Sequence, residues 1–348
     1  FKQKTAYEML RSLVGSEMCI RDSMGFVLQP RYGEAPSVRR VIEENRRAIA
    51  SFFAARQPGA ALLQVQEREV KREVAAWARQ RLAGQGKGWV VLGLGTFFVR
   101  DLVGDHPTLA LELERFLTWE GYEAGTHPAP GSPPLELQLH TARSLGRDAL
   151  LLAPVLIDVE PLLRVVEAAR GAGVRLKEVL IGMTSASVHA TLHLKGIRHR
   201  CGAIVPRWRG VLRESAIAPF IGGWNILGRS FMQTGSLLPS LNDCLPYHDP
   251  HPLGLDRGGA LDFSRLALES TRRLLESIEE LFRATESRFL SLPELGAVVR
   301  VPRCPPMPEG FEPPRDRLPS ELLAEDLRAL ARLHPESHEA HRTRWSGR

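Results

Sequence analysis

Four groups of residues in this chain have types and spacings that can do chemistry. Asp158 and Glu160 flank Val159 directly after the apolar run Leu150–Ile157. Carboxylates where a strand gives way to a helix can hold a sugar hydroxyl or Mg²⁺, which prefers oxygen ligands. The same acids suit the positive end of a helix dipole, so capping is the alternative role. Gly182, Thr184, Ser185 and Ser187 form a hydroxyl-rich stretch entering a helix. It reads as a phosphate cradle built from hydroxyls and first-turn amides, or as a plain Ser/Thr cap. Gly93, Gly95 and Thr96 follow a short apolar run. They can present backbone N–H groups to a phosphate or carboxylate, but a dinucleotide fingerprint's third glycine and a P-loop lysine are both missing. Finally, Asn242, Asp243, Cys244, His248, Asp249 and His251 crowd one segment stiffened by Pro246, Pro250 and Pro252. There Cys244 and His248 can serve as nucleophile and base, His248, Asp249 and His251 can bind a metal, or the segment can cover a site.

A further pair, His189 and His193, lies one helical turn apart, with His199 and Cys201 close behind. That spacing can chelate a transition metal. Histidines one turn apart on a half-buried helix are more often polar surface, so no metal is assigned to them, nor to His248 and His251.

The elements that position these groups follow from periodicity. Leu150–Ile157, Lys177–Ile181 and Gly202–Val205 are short apolar runs separated by the helical patterns Pro161–Ala172 and the stretch from Ala186. Strands alternating with helices predict a parallel sheet covered on both faces, whose ligands bind at the carboxyl ends of the strands. Asp158, Glu160 and Thr184 to Ser187 fall at those ends. Trp89–Leu92 reads as another strand, with a helix expected over 97–103 and a further one over Leu109–Trp119. Ser37 to Phe53 and Glu67–Leu82 carry helical spacing, as do Leu135–Leu145, Leu261–Thr285 and Ser320–Leu333. The expectation is an α/β protein: a three-layer, Rossmann-like, mostly parallel sheet with N-terminal helices and a C-terminal helical extension. The expected boundaries are a leader over 1–23, a helical segment over 24–86, the α/β core with its long 207–256 loop over 87–256, and the extension over 257–348. The Asn242–His251 segment is expected to dock over the carboxyl edge, because Trp224, Leu237, Leu238, Leu241 and Leu245 give its surroundings apolar surface to bury.

Residues 150–206 resemble the type I phosphoribosyltransferase fold. In that family an apolar strand ends in two acids and a hydroxyl-glycine loop follows; here Val155-Leu156-Ile157-Asp158-Val159-Glu160 supplies the strand and the acids. Val159 separates the acids, and Pro161-Leu162-Leu163 stands where the loop belongs. The resemblance implies an enzyme on a phosphosugar or nucleotide, phosphoribosyl transfer being the nearest named chemistry. Asp158 and Glu160 would then hold ribose hydroxyls or Mg²⁺, and Thr184, Ser185 and Ser187 the phosphate. The missing loop keeps a second class open, a non-catalytic ligand-binding or regulatory protein on the same sheet.

Composition narrows the partners. A net charge of +6 and a pI near 9.4 suggest nucleic acid, yet only six of the 46 basic residues are lysine and the arginines are scattered. No basic stripe with interleaved aromatics occurs, so nucleic acid is not the expected partner; a phosphorylated small molecule is. Four cysteines without paired spacing predict reduced thiols and a cytoplasmic protein, and no run is long and apolar enough for a membrane span. Phe1 to Ser23 resembles a translated sequencing adapter, with Met24 expected as the natural start.

Overall fold

The apolar runs form one sheet. In the computed structural model the described residues are 17–21, 24–57, 59–85, 88–94, 106–117, 123–128, 132–221, 238–239, 242–247, 250, 253–300, 302–304 and 314–332. The chain divides into two compact units. The first comprises Phe1–Cys19, Gly59–Phe116 and Ala124–Val211; the second, Ile20–Pro58, Leu117–Glu123 and Leu212–Arg348.

The first unit holds five strands: β1 (Trp89–Leu94), β2 (Thr108–Leu111), β3 (Asp148–Leu156), β4 (Arg175–Ser185) and β5 (His199–Val205). They pair in the order β2-β1-β3-β4-β5, all parallel. Four helices flank them, α1 (Glu67–Leu82), α2 (Leu135–Leu145), α3 (Glu160–Gly171) and α4 (Ala186–Leu194). Successive strand residues point to opposite faces, and both faces are covered. Val90, Leu92, Leu151, Val179 and Ile181 pack with Leu139 of α2, Val165 of α3 and Leu192 of α4. Val91, Leu150, Leu152 and Leu180 pack with Val74 and Ala78 of α1. The α/β expectation with three layers holds, and the unbroken apolar run in β3 reflects burial on both sides. Burying each such Leu or Val is worth about 1.5–3 kcal/mol.

At Gly202 β5 runs so close to β4 that a Cβ would lie 2.7 Å from the Gly182 carbonyl oxygen and 2.9 Å from the Trp77 ring. Arg200, two residues earlier and on the same face, stacks over that ring at 4.3 Å. His199 and Cys201 therefore look to the opposite face, toward α4.

Some local expectations change. The helix expected over Leu109–Trp119 is instead two strands, β2 and Leu113–Leu117, the latter in a two-stranded sheet with Glu123–Pro128. Leu109, Leu111 and Leu113 alternate with period two, which suits a strand. β4 runs to Ser185, so Gly182 and Thr184 sit within the strand rather than in a turn. Trp208–Arg213 is a strand beyond the expected end of regular structure; with Ala61–Val65 it flanks Glu17–Arg21 in a three-stranded sheet.

The second unit is built on the helix Arg257–Glu286, whose N-cap Asp256 accepts a hydrogen bond from the Gly259 amide at 2.7 Å. Phe53 of the helix Pro36–Arg56 meets Phe263, ring centroids 5.4 Å apart, and Asn45 Nδ2 donates to the Ser270 carbonyl at 2.8 Å. The helix Pro319–Ala331 joins through Ser320, whose backbone N–H donates to buried Glu279 at 2.9 Å. Burial holds the Glu279 carboxyl above its ordinary range against the opposing pull of the two Ser320 hydrogen bonds. Among the described residues no helix is long and apolar enough to cross a membrane.

Candidate functional site

The strand order reverses direction between β1 and β3. β2 lies on one side of β1, and β3, β4 and β5 follow on the other. In open parallel sheets this reversal parts the connections and opens a crevice at the carboxyl ends. Here the register places an overhang at that point. The last pair between β1 and β3 is Gly93 with Leu152, while β3 continues four residues to Leu156. That overhang is roughly 13 Å at the rise of a strand. Among the described residues β3 is unpaired on its β1 side along that stretch, a notch in the ladder; residues 95–105, which follow β1 in sequence, lie outside the described residues.

Asp158 stands two residues beyond the end of β3. Its Oδ1 accepts the Glu160 N–H at 3.2 Å, capping the start of α3, which has Pro161 in its first turn. Glu160 Oε1 pairs with Arg164 one turn on, at 3.4 Å. Both acids thus serve the helix start, half-buried at the edge of the sheet. Oxygen donors of this kind fit Mg²⁺.

On the neighbouring strand, Thr184 is fully buried and its hydroxyl donates to the Leu156 carbonyl at 2.7 Å. Thr184 pairs directly with Leu156 in the ladder, so this hydroxyl ties β3 to β4 at the lip of the notch. Ser185 is the N-cap of α4, its Oγ accepting the Val188 N–H at 3.3 Å. The Ser185 and Ser187 hydroxyls lie 2.9 Å apart, and Ser187 is exposed. Of this hydroxyl group, Ser187 is the one turned to solvent. Gly182 lies deeper in β4, against Gly202, away from the edge.

The remaining sequence candidates are placed as follows. Gly93 is inside β1; Gly95 and Thr96 lie outside the described residues, as do His248, Asp249 and His251. Cys244 belongs to the second unit and is fully buried. Its thiol sits 3.9 Å from the Ile217 carbonyl. Burial, reinforced by the Asp243 and Asp326 carboxylates, holds that thiol well above its ordinary pKa. Burial of this kind disfavours the thiolate, the nucleophilic form of a cysteine.

The histidines of α4 are divided by the fold. His193 is exposed, while His189 turns to β5 and meets His199 and Cys201. His189 Nδ1 is 2.9 Å from His199 Nε2 and 3.9 Å from Cys201 Sγ. Burial, then the neighbouring His199 and His193, hold His189 below its ordinary pKa, and burial pushes the Cys201 thiol up to about 11. Sequence spacing pointed to the His189–His193 pair; the alternation of His199 and Cys201 along one strand was the better signal.

Sequence reading also missed a polar knot in the second unit. Arg46 Nε and Glu214 pair closely, Arg46 Nη2 reaches Glu214 Oε2 at 3.2 Å, and the Met24 N–H donates to the same carboxylate at 3.4 Å. The knot borders a cavity of about 30 Å³, also lined by Asn45 and Ser270, which is room for a water molecule.

The fold and site define a class, a parallel α/β sheet with acids and hydroxyls at its carboxyl edge. No protein family matches the chain in sequence, and no curated protein does either. Similar solved structures include TT1426 of Thermus thermophilus, with 16% identity and a TM-score of 0.26 over 39% of this chain and 84% of that one. Orotate phosphoribosyltransferase of Mycobacterium tuberculosis, in complex with 5-phospho-alpha-D-ribosyl 1-diphosphate, matches at 14% identity and a TM-score of 0.25, covering 49% and 90% of the two chains. UMP synthase of Leishmania donovani matches at 12% and 0.26, covering 49% and 37%. The orotate phosphoribosyltransferase and the UMP synthase are phosphoribosyltransferase-type structures, and at these scores the likeness carries no argument.

Proposed function

We propose that the first unit binds a phosphorylated small molecule, of the phosphosugar or nucleotide class, in the notch between β1 and β3. The observation that supports this reading most is the four-residue overhang of β3 past its last pair with β1, at the one reversal of strand order. In this reading Asp158 and Glu160 take ribose hydroxyls or a Mg²⁺ ion. Ser187, Ser185 and the first-turn N–H groups of α4, which lack partners within the helix, take the phosphate. Phosphoribosyl transfer is the chemistry nearest to this arrangement.

A second reading is a non-catalytic binding protein on the same sheet. It is favoured by the prior engagement of the polar groups: Asp158 caps α3, Glu160 pairs with Arg164, and Ser185 caps α4. Titration calorimetry with 5-phosphoribosyl 1-diphosphate, ribose 5-phosphate and a nucleoside monophosphate, each with and without Mg²⁺, tests the binding. Saturable binding that weakens in Asp158→Asn is the expected result. No binding by the folded protein, or binding indifferent to Asp158→Asn, overturns the reading. Release of pyrophosphate with a nucleobase present selects the enzyme; binding without release selects the second reading.

A further inference from the structure

We propose that His189, His199 and Cys201 form a binding site for a borderline divalent transition metal, Zn²⁺ foremost, with three protein ligands and one open position. The site lies in the first unit, between α4 and β5, and does not depend on the function proposed for the notch.

Local structure brings the three together. Ser185 caps α4 so that its first turn is fixed, and Val188 and Leu192 seat the helix in the core. His189 follows Val188 directly, at the rim of that buried stripe. The chain then turns at Gly196, with φ +66°, a conformation glycine adopts freely, and re-enters the sheet as β5. His199 and Cys201 are two apart on β5 and so share one face, the face that α4 covers. Cys201 packs against the core cluster that holds Val188 and Leu192. β5 is the edge strand of the sheet, so the group is half-buried and open on one side.

The atoms fit the ion. The three ligand atoms lie within 4.8 Å of one another. With Zn–N of about 2.0–2.1 Å and Zn–S of about 2.3 Å, tetrahedral geometry separates two nitrogens by about 3.3 Å and a nitrogen from sulfur by about 3.6 Å. The observed 2.9 Å and 3.9 Å fall on either side of those values; the third pair, His199 with Cys201, is held within 4.8 Å, so side-chain shifts of up to about an ångström bring all three onto the ion.

The proton arrangement fits as well. His199 Nδ1 lies 2.7 Å from the Ile197 carbonyl oxygen, which only an N–H can satisfy. Its proton is therefore on Nδ1, and the lone pair of Nε2 points into the cluster toward His189 and Cys201. A ligating histidine that donates its other N–H to a backbone carbonyl is the usual outer-shell arrangement of metal sites. On binding, the Cys201 S–H bond breaks as the S–metal bond forms, and the proton passes to buffer. The His189 proton moves to Nε2, leaving Nδ1 to the metal. Nitrogen and sulfur donors select Zn²⁺ over Mg²⁺ or Ca²⁺, which take oxygen.

The test uses the full chain, stripped with chelator and titrated with Zn²⁺ against a chromophoric competitor, then with Co²⁺ as an optical probe. One equivalent should bind, and Co²⁺ should give thiolate charge-transfer absorption together with ligand-field bands of tetrahedral intensity. Cys201→Ala should abolish the charge transfer and weaken Zn²⁺ binding at least about tenfold; His189→Gln and His199→Gln should weaken it comparably. Cys304→Ser should change nothing, and circular dichroism checks that each variant is folded. The proposal is overturned if the wild type binds no saturable equivalent. It is equally overturned if folded Cys201→Ala and His189→Gln keep wild-type affinity, leaving His189 and His199 as a hydrogen-bonded pair only. Phosphosugar binding should be unaffected by these variants, so this outcome and that of the notch are read separately.

Discussion

Thr184 and Ser187 sit three residues apart, one fully buried and one exposed, and a pair of substitutions separates a structural tie from the proposed phosphate contact. Thr184→Val keeps the shape of a fully buried side chain and removes only the hydroxyl that donates to the Leu156 carbonyl at 2.7 Å. Losing one partner of a buried hydrogen bond costs about 1–3 kcal/mol. Each kcal/mol lowers the melting temperature by roughly 2–4 °C in a protein of about 150–250 residues. Ser187 is exposed and its hydroxyl lies 2.9 Å from that of Ser185. Ser187→Ala should therefore stay within about 0.5 kcal/mol of wild type. If Ser187 holds a phosphate oxygen, its loss removes a charge-assisted bond worth about 1.5–3 kcal/mol, an increase in Kd of roughly tenfold or more. Urea unfolding followed by circular dichroism gives the stabilities, and calorimetry with ribose 5-phosphate gives the affinities. Thr184→Val should lose stability, and Ser187→Ala should lose affinity. Equal stability losses in both variants would refute the assignment of Thr184 as the structural tie. Unchanged affinity in Ser187→Ala would remove the serine from the binding site.

Two further outcomes follow from individual environments. Asp326 is pushed up to about 6, chiefly by burial and also by Glu325, against the pull of the hydrogen bond it accepts from Tyr247. A carboxyl whose folded pKa is raised holds more protons folded than unfolded, so its contribution is fully present below the unfolded pKa. That contribution is lost as pH rises from about 4 to about 6, some 3 kcal/mol for a two-unit shift. The difference in urea stability between wild type and Asp326→Asn should follow that window; a flat difference across it would show an ordinary carboxyl. Gly202→Ala should destabilise by about 1–3 kcal/mol, since its Cβ would lie 2.7 Å from the Gly182 carbonyl oxygen. A melting temperature equal to wild type would mean that β4 and β5 can separate freely there.

How much of this was legible beforehand depends on the range of the signal. Apolar runs such as Leu150–Ile157 carry a local pattern, and α/β alternation turned those patterns into a parallel sheet with Asp158, Glu160, Thr184 and Ser185 at its carboxyl ends. Chain direction alone places them there, because every strand of a parallel sheet runs the same way. Leu109–Trp119 was misread because its leucines satisfy both periods over so short a stretch, and pairing with β1 decided for the strand.

What only the tertiary structure decided concerns groups distant in sequence or ambiguous in partner. The notch depends on where β1 stops pairing with β3, and ladder register is a property of two strands together. Glu67–Leu82 belongs with the sheet, while Pro36–Arg56 packs on Arg257–Glu286, although both showed the same helical spacing. Cys244, which in sequence could be a nucleophile beside His248 or part of a covering segment, is a buried thiol, since exposure is set by what packs over a residue. The sequence by itself determined the kinds of elements and the edge at which the polar groups fall, since both depend on neighbours along the chain. His189 meets His199 and Cys201, and not His193, because a strand face and a helix rim converge only once α4 is seated on β5.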